Sequence, residues 1–289
     1  MYRVRLAGMP TWTVDAPQRL SFDEPISRLD VYLISGRLNV VGTDGPARVE
    51  IANAGDKPII VEERDGRLSV RHERIPKWPS FLRWLIQFGR RYRVDVSVAV
   101  PVDARADLHL IDGSVIASGL RRETIVDVTS GRITLMGLAG RTVAKLVAGP
   151  VEALGVADDL TMETVSGELI LADSPAERVH ARTVSGSITC DLDNPRRSEI
   201  RLGTTSGSVT VRVREDSDLT VHLHTTSGRI TSAFPGLRSG DGPPWTKDAA
   251  GVLGAGDGKL WASTTSGSIA LLSRPAPDPE DAEPEDAAI

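Results

Sequence analysis

The sequence predicts an all-β chain whose short strands stack into a β-solenoid or β-roll of about 20 residues per unit, with a twisted β-sandwich as the alternative closure. Three observations carry that expectation. A Gly recurs ten times, at positions 36, 66, 113, 131, 149, 167, 186, 207, 228 and 267, and the residue two places later is Val, Ile or Leu in every copy. After each Gly, polar and apolar residues alternate, as in Ile133/Leu135, Leu169/Leu171, Ile188/Cys190, Val209/Val211 and Ile269/Leu271. Period-2 alternation is the mark of a strand with one buried face. The composition agrees: 27 Gly and 18 Pro among 289 residues supply turns, while only 4% are aromatic, so the core must be aliphatic.

The first 110 residues read as an irregular N-terminal β region continuous with the repeats. Alternating runs cover Arg28–Val41, Arg48–Ile51, Ile59–Val61 and Arg67–Arg71. Tyr92–Pro101 is a strong strand, with Val94, Val96, Val98 and Val100 on one face. Residues 111–274 form the repeat array. From Gly113 the glycines are spaced 18, 18, 18, 19, 21, 21 and 39 apart. The final interval is two periods, and Pro235–Gly258 within it reads as one rung carrying a long surface loop. Before the corners stand β-branched pairs such as Thr164-Val165, Thr183-Val184 and Thr204-Thr205, which favour a pleated backbone. Gly131, Gly167, Gly186, Gly207, Gly228 and Gly267 are thus expected at tight structural turns, where Gly supplies a φ that other residues resist. Residues 275–289, with six acids and four prolines, read as a disordered acidic tail.

One segment breaks the pattern. Residues 75–93 hold five of the twelve aromatics, and Arg71–Arg93 carries seven Lys or Arg against one acid, in a chain of net charge −5. Ser80 can cap a short amphipathic helix near 80–90 and Gly89 can end it. Phe81, Trp84 and Phe88 fall on its apolar arc, with Arg83 and Arg90 on the other side. Two roles fit: a cap over the end of the stack, or a docking element. In the second, Trp78, Phe81, Arg83, Trp84, Phe88, Arg90 and Arg91 bind an anionic membrane surface or a protein partner.

Catalytic chemistry finds little support. Asp158-Asp159 and Asp191/Asp193 are the carboxylate candidates; Asp191 and Asp193, with Asn194, stand just before Pro195, where an Asx turn is expected. His222 and His224 share one strand face but no third metal ligand is near, so no metal and no cofactor is expected. Cys190 occupies a core register. The acidic balance gives no field for nucleic acid. The N-terminus lacks the apolar run of a signal peptide and no stretch reaches 18 apolar residues, which points to the cytoplasm or the inner membrane face.

The recurring Thr-(Val/Thr)-Ser-Gly-x-(Ile/Val/Leu) units resemble the bacterial putative-adhesin family of β-strand-repeat proteins, a domain of unknown function. The resemblance runs over residues 94–272. It includes Gly251–Gly258 leading into Lys259–Ser273, which is similar to that family's last repeat. It implies a roll or solenoid-like β fold, no catalytic residues and an adhesive or envelope-linked role. The expected function is therefore a non-enzymatic binding or scaffold protein with an envelope or protein partner. A polymer-forming, bactofilin-like solenoid that self-associates is the alternative, and a polysaccharide-active enzyme a distant one.

Overall fold

A computed structural model of the chain describes residues 11–72, 92–193, 197–239 and 247–275. They are built from strands, turns and loops, with no α-helix among them. The helix expected near 80–90 and the tail from 276 onward lie outside the described residues.

The N-terminal region contributes β1 (Thr11–Val14), β2 (Gln18–Phe22), β3 (Arg28–Thr43), β4 (Ala47–Asn53), β5 (Ile59–Arg64), β6 (Arg67–His72) and β7 (Arg93–Pro101). Then come two long strands that bend at their glycines, β8 (Arg105–Ser118) and β9 (Thr124–Met136). Strand pairs follow: β10 (Arg141–Ala148) with β11 (Val151–Leu154), β12 (Asp158–Ser166) with β13 (Leu169–Ser174), and β14 (Ala176–Ser185) with β15 (Ile188–Leu192). Next are β16 (Glu199–Ser206) with β17 (Val209–Arg214), and β18 (Leu219–Ser227) with β19 (Ile230–Ser232). The chain closes with β20 (Arg238–Ser239), β21 (Lys247–Leu253), β22 (Gly258–Ser266) and β23 (Ile269–Arg274).

Equivalent strands of successive units pair in parallel. The strands before the corners form one sheet, in the order β6, β3, β8, β9, β10, β12, β14, β16, β22, β18. Those after the corners form a second, in the order β7, β3, β8, β9, β11, β13, β15, β17, β23, β19. Where the stack is regular, a short third side closes each rung: Ala139 N–H donates to Leu120 O (2.9 Å) and Ala157 N–H to Leu138 O (2.8 Å). Parallel pairing between rungs selects the solenoid over a sandwich of antiparallel hairpins.

The core runs as continuous columns. Ile133, Val151, Leu169, Ile188, Val209 and Ile269 stack behind the corners, and Leu135, Ala153, Leu171, Cys190, Val211 and Leu271 stack one pleat further on; all are buried. Each aliphatic side chain removed from water contributes about 1.5–3 kcal/mol. No unit could collect that alone, because its apolar face is covered by its neighbours.

The corner glycines stack directly. A Cβ on Gly131 would lie 1.7 Å from the Gly113 carbonyl oxygen, and one on Gly186 would lie 1.9 Å from that of Gly167. Gly167, Gly207, Gly267 and Gly228 face the carbonyls of Gly149, Gly186, Gly207 and Gly267 at 1.8–1.9 Å. Gly131, Gly167, Gly186, Gly207 and Gly267 also have the positive φ expected of them. Gly228 is not among the positive-φ residues, yet it is as crowded as the rest. What they share is a carbonyl from the next rung occupying the place of a side chain.

The ends depart from the repeat. The last unit, β22–β23, inserts between β16–β17 and β18–β19, so the last two rungs are exchanged relative to chain order. The long surface loop expected over Pro235–Gly258 is corrected accordingly. Within it β21 pairs antiparallel with β18, and β20 with β21, closing that end. At the other end β5 and β1 extend β6, and β4 and β2 extend β7, all antiparallel. Strands β6 and β7 are the two sides of the outermost parallel rung. The basic, aromatic segment thus stands in the chain where every other rung has its corner.

Candidate binding face

The outer face of the first sheet carries rows of side chains that run across the strands, one residue per rung about 4.8 Å apart. One row alternates in charge: Glu123, Arg141, Asp159, Arg178, Glu199, Lys259. Arg141 reaches Glu123 at 2.8 Å and Arg178 reaches Asp159 at 2.5 Å. A second row, separated from the first by the row of Thr161 and His180, repeats the alternation with Asp127, Lys145, Glu163 and Arg182, Lys145 lying 3.5 Å from Glu163. After Arg182 the pattern stops. The next two positions are Gly203 and Ser263, where an acid would continue it.

That interruption opens a concavity of about 560 Å³, whose lining includes His180, Arg182, Arg201, Gly203, Trp261 and Ser263. Gly203 forms a notch because it has no side chain. Its backbone is not left-handed, and a Cβ there would meet only Ser263 Oγ at 3.7 Å. A smaller depression of about 250 Å³ shares His180 and Arg201 and continues over Arg141, Asp159 and Arg178.

Trp261 stands on the same face and is 56% exposed. It follows His180 and Arg201 in its row, with His222 on the far side. The His222 ring is 5.7 Å from the indole, tilted by 34°. Arg201 is held by Glu199 at 2.6 Å and His224 Nδ1 meets Asp248 Oδ1 at 2.6 Å. Arg182 makes no ion pair among the described residues. The concavity therefore presents an uncommitted guanidinium, a hydroxyl and an open aromatic face.

The sequence candidates are distributed as follows. Trp78, Phe81, Arg83, Trp84, Phe88, Arg90 and Arg91 lie outside the described residues. Gly131, Gly167, Gly186, Gly207, Gly228 and Gly267 form the corner column. His222 and His224 share a face, but one leans on Trp261 and the other on Asp248. Asp158 Oδ2 accepts from the Gly140 amide at 2.7 Å, and Asp193 lies 3.4 Å from Arg214. Asp191 is gripped by both guanidinium arms of Arg212, whose hydrogen bonds hold its carboxyl below the usual range. Cys190 is 1% exposed, and burial pushes its thiol up to about 12, far from a usable nucleophile.

The threonines before the corners point inward. The hydroxyls of Thr183, Thr204, Thr225 and Thr264 donate to the carbonyls of Gly167, Gly186, Gly267 and Gly207 at 2.9–3.4 Å. They form a corner ladder inside the stack.

Sequence reasoning missed Arg182, Gly203 and Trp261. Gly203 is a glycine off the corner register, and Trp261 is the only aromatic in any repeat strand from β8 on, which were the available signals. Their meeting depends on the exchanged rung order, which no spacing reveals.

None of the curated proteins matches this chain. Among solved structures, a putative adhesin from Bacteroides fragilis NCTC 9343 is similar at 13% identity and a TM-score of 0.44, covering 92% of this chain and 98% of the other. A putative cell adhesion protein from Clostridium sporogenes ATCC 15579 shares 11% identity at a TM-score of 0.29, over 89% and 100% of the two chains. A putative lipid binding protein from Parabacteroides distasonis ATCC 8503 shares 12% at 0.37, over 89% and 97%. The family Toastrack DUF4097 matches residues 39–272, the span that contains most of the parallel stack, and the chain belongs to that family.

Proposed function

We propose that this protein is a non-enzymatic binding module, a rigid β-solenoid that displays the Arg182–Gly203–Trp261 concavity to an envelope component. The observation that carries this reading is the concavity itself. An exposed indole and an unpaired guanidinium share a face on which most other charges are neutralised by neighbours. Such a surface attracts a ligand without performing chemistry on it. The carboxylates once considered for acid–base work are held by Arg or by backbone amides, and the thiol is buried.

Co-sedimentation of the full chain with a purified bacterial envelope fraction tests the reading. Wild-type protein is expected in the pellet and the Trp261→Ala protein in the supernatant, with both showing the same thermal midpoint. Equal partition of the two overturns it.

A second reading concerns partners at the membrane. The described strands before and after the basic, aromatic segment, β6 and β7, are the two sides of the outermost rung at one end of the solenoid. The segment's sequence suits a peripheral contact with the inner membrane face. Binding of the full chain to vesicles containing anionic lipid, lost in Trp84→Asp, supports this; unchanged binding removes it. The antiparallel strands at both ends favour a discrete module over an end-to-end polymer. A sedimentation coefficient that stays constant with concentration is the expected result.

A further inference from the structure

We infer that the notch over Gly203 is a seat for a ligand carboxylate, and that the ligand is an acidic saccharide chain of the uronic-acid type. The inference rests on the binding-module reading above and names its ligand.

The charge rows carry the argument. Along Asp127, Lys145, Glu163 and Arg182 each basic position is preceded by an acid one rung away. On the far side of Arg182 the register calls for another acid, and the chain supplies Gly203. The space of a missing carboxylate is left beside a guanidinium that lacks an ion pair among the described residues. A carboxylate from outside fits that place, with the Ser263 hydroxyl on the next strand as a further donor.

The rest of the face narrows the class. Trp261 is diagonal to Gly203, one strand over and two residues from Ser263. An indole face suits the C–H face of a sugar ring, apolar on one side with hydroxyls at its rim. His180 and Thr205 offer polar atoms around it. The concavity is open rather than enclosed, and the depression over Arg141, Asp159 and Arg178 continues it along the stack. Small-molecule sites bury most of their ligand; an open trough suits an extended chain lying across the strands. Glu163, Asp159, Glu199 and Asp248 stand on the same face. Each already has a partner on the face, Glu163 in Lys145, Asp159 in Arg178, Glu199 in Arg201 and Asp248 in His224, so the guanidinium left for an outside anion is that of Arg182.

Calorimetric titration of the full chain with tetragalacturonate, cellotetraose and a short oligothymidylate tests the proposal. Tetragalacturonate is expected to bind and the other two to fail. Arg182→Gln and Trp261→Ala are each expected to weaken binding about tenfold or more. Gly203→Glu is the discriminating variant, because it installs the absent acid. It is expected to abolish binding while keeping or raising the thermal midpoint. A merely structural role for Gly203 would not give that pair of results. Equal binding of cellotetraose overturns the carboxylate seat, and binding of the oligonucleotide overturns the saccharide class. Undiminished binding by Gly203→Glu overturns the site. If tetragalacturonate does not bind while envelope co-sedimentation still depends on Trp261, the ligand class falls and the module reading stands.

Discussion

Gly186 and Gly203 lie seventeen residues apart in adjacent rungs and have opposite reasons to be glycine. At Gly186 the next rung's carbonyl already fills the place of a Cβ, at 1.9 Å. At Gly203 nothing crowds the position, and its nearest neighbour is a side-chain hydroxyl at 3.7 Å. The first is emptied so that the rungs can approach. The second leaves a gap that the rungs do not need. Where packing explains an absence, function has little claim on it; where packing does not, the exposed surface around it becomes the candidate site.

The largest effect expected from that contrast is at the corner. Gly186→Ala should lose more than about 4 kcal/mol or fail to fold, since backbone rather than a flexible side chain must move. Gly203→Ala should stay within about 1 kcal/mol of wild type. Urea denaturation followed by circular dichroism reads both, and similar midpoints for the two variants would break the distinction.

The core column beside the corner gives the next effect. Leu171 is fully buried between Ala153 and Cys190. Leu171→Ala should cost about 2–5 kcal/mol, and a cost below 1 kcal/mol would show that neighbouring rungs relax into the space.

At the irregular end a titration takes over. His72 closes β6 just before the inserted segment, is 1% exposed, and its Nδ1 accepts from the Ile34 amide at 3.3 Å. Burial lowers its pKa to about 4. The unfolded chain, with an ordinary imidazole near 6.5, therefore binds a proton more readily than the folded one. Stability from this group is complete above about pH 6.5 and falls as the pH drops toward 4, by about 3 kcal/mol. Denaturation midpoints measured across that window in wild type and in His72→Gln should diverge in slope; parallel curves would refute the assignment.

The smallest effect belongs to the outer face. Arg178→Ala removes one member of an exposed charge row and should cost under about 1 kcal/mol, with the difference shrinking in high salt. A larger, salt-insensitive loss would mean that the row, like the corner, is part of the framework.

Much of this fold is legible from residue order. The ten glycines, the Val, Ile or Leu two places on, and the alternation after them place corners, strands and core faces, because a strand's period of two is written directly in the sequence. Cys190 reads as core for the same reason. The β-branched residues before the corner indicate strand, and Thr183 and Thr204 do prove to be interior hydroxyls that bond the corner carbonyls. The regular spacing also made the last interval look like two ordinary periods. It is instead a rung inserted out of order with an antiparallel edge beside it, because pairing partners are chosen by fit across space and not by adjacency in the chain.

The sequence by itself determined the unit: which residues face inward, where each corner falls, and that one unit needs neighbours to cover it. Only the tertiary structure decided the order of the last two rungs, the antiparallel closure of both ends, and that β6 and β7, the strands flanking the basic, aromatic segment, form the outermost rung. It also decided that Arg182, Gly203 and Trp261 share one surface. Trp261 is 58 residues from Gly203 in the chain, yet β22 lies beside β16. Local alternation fixes the side of the strand on which each residue lies. Its company there is set by lateral hydrogen bonding between strands, and that bonding carries no signature in local sequence.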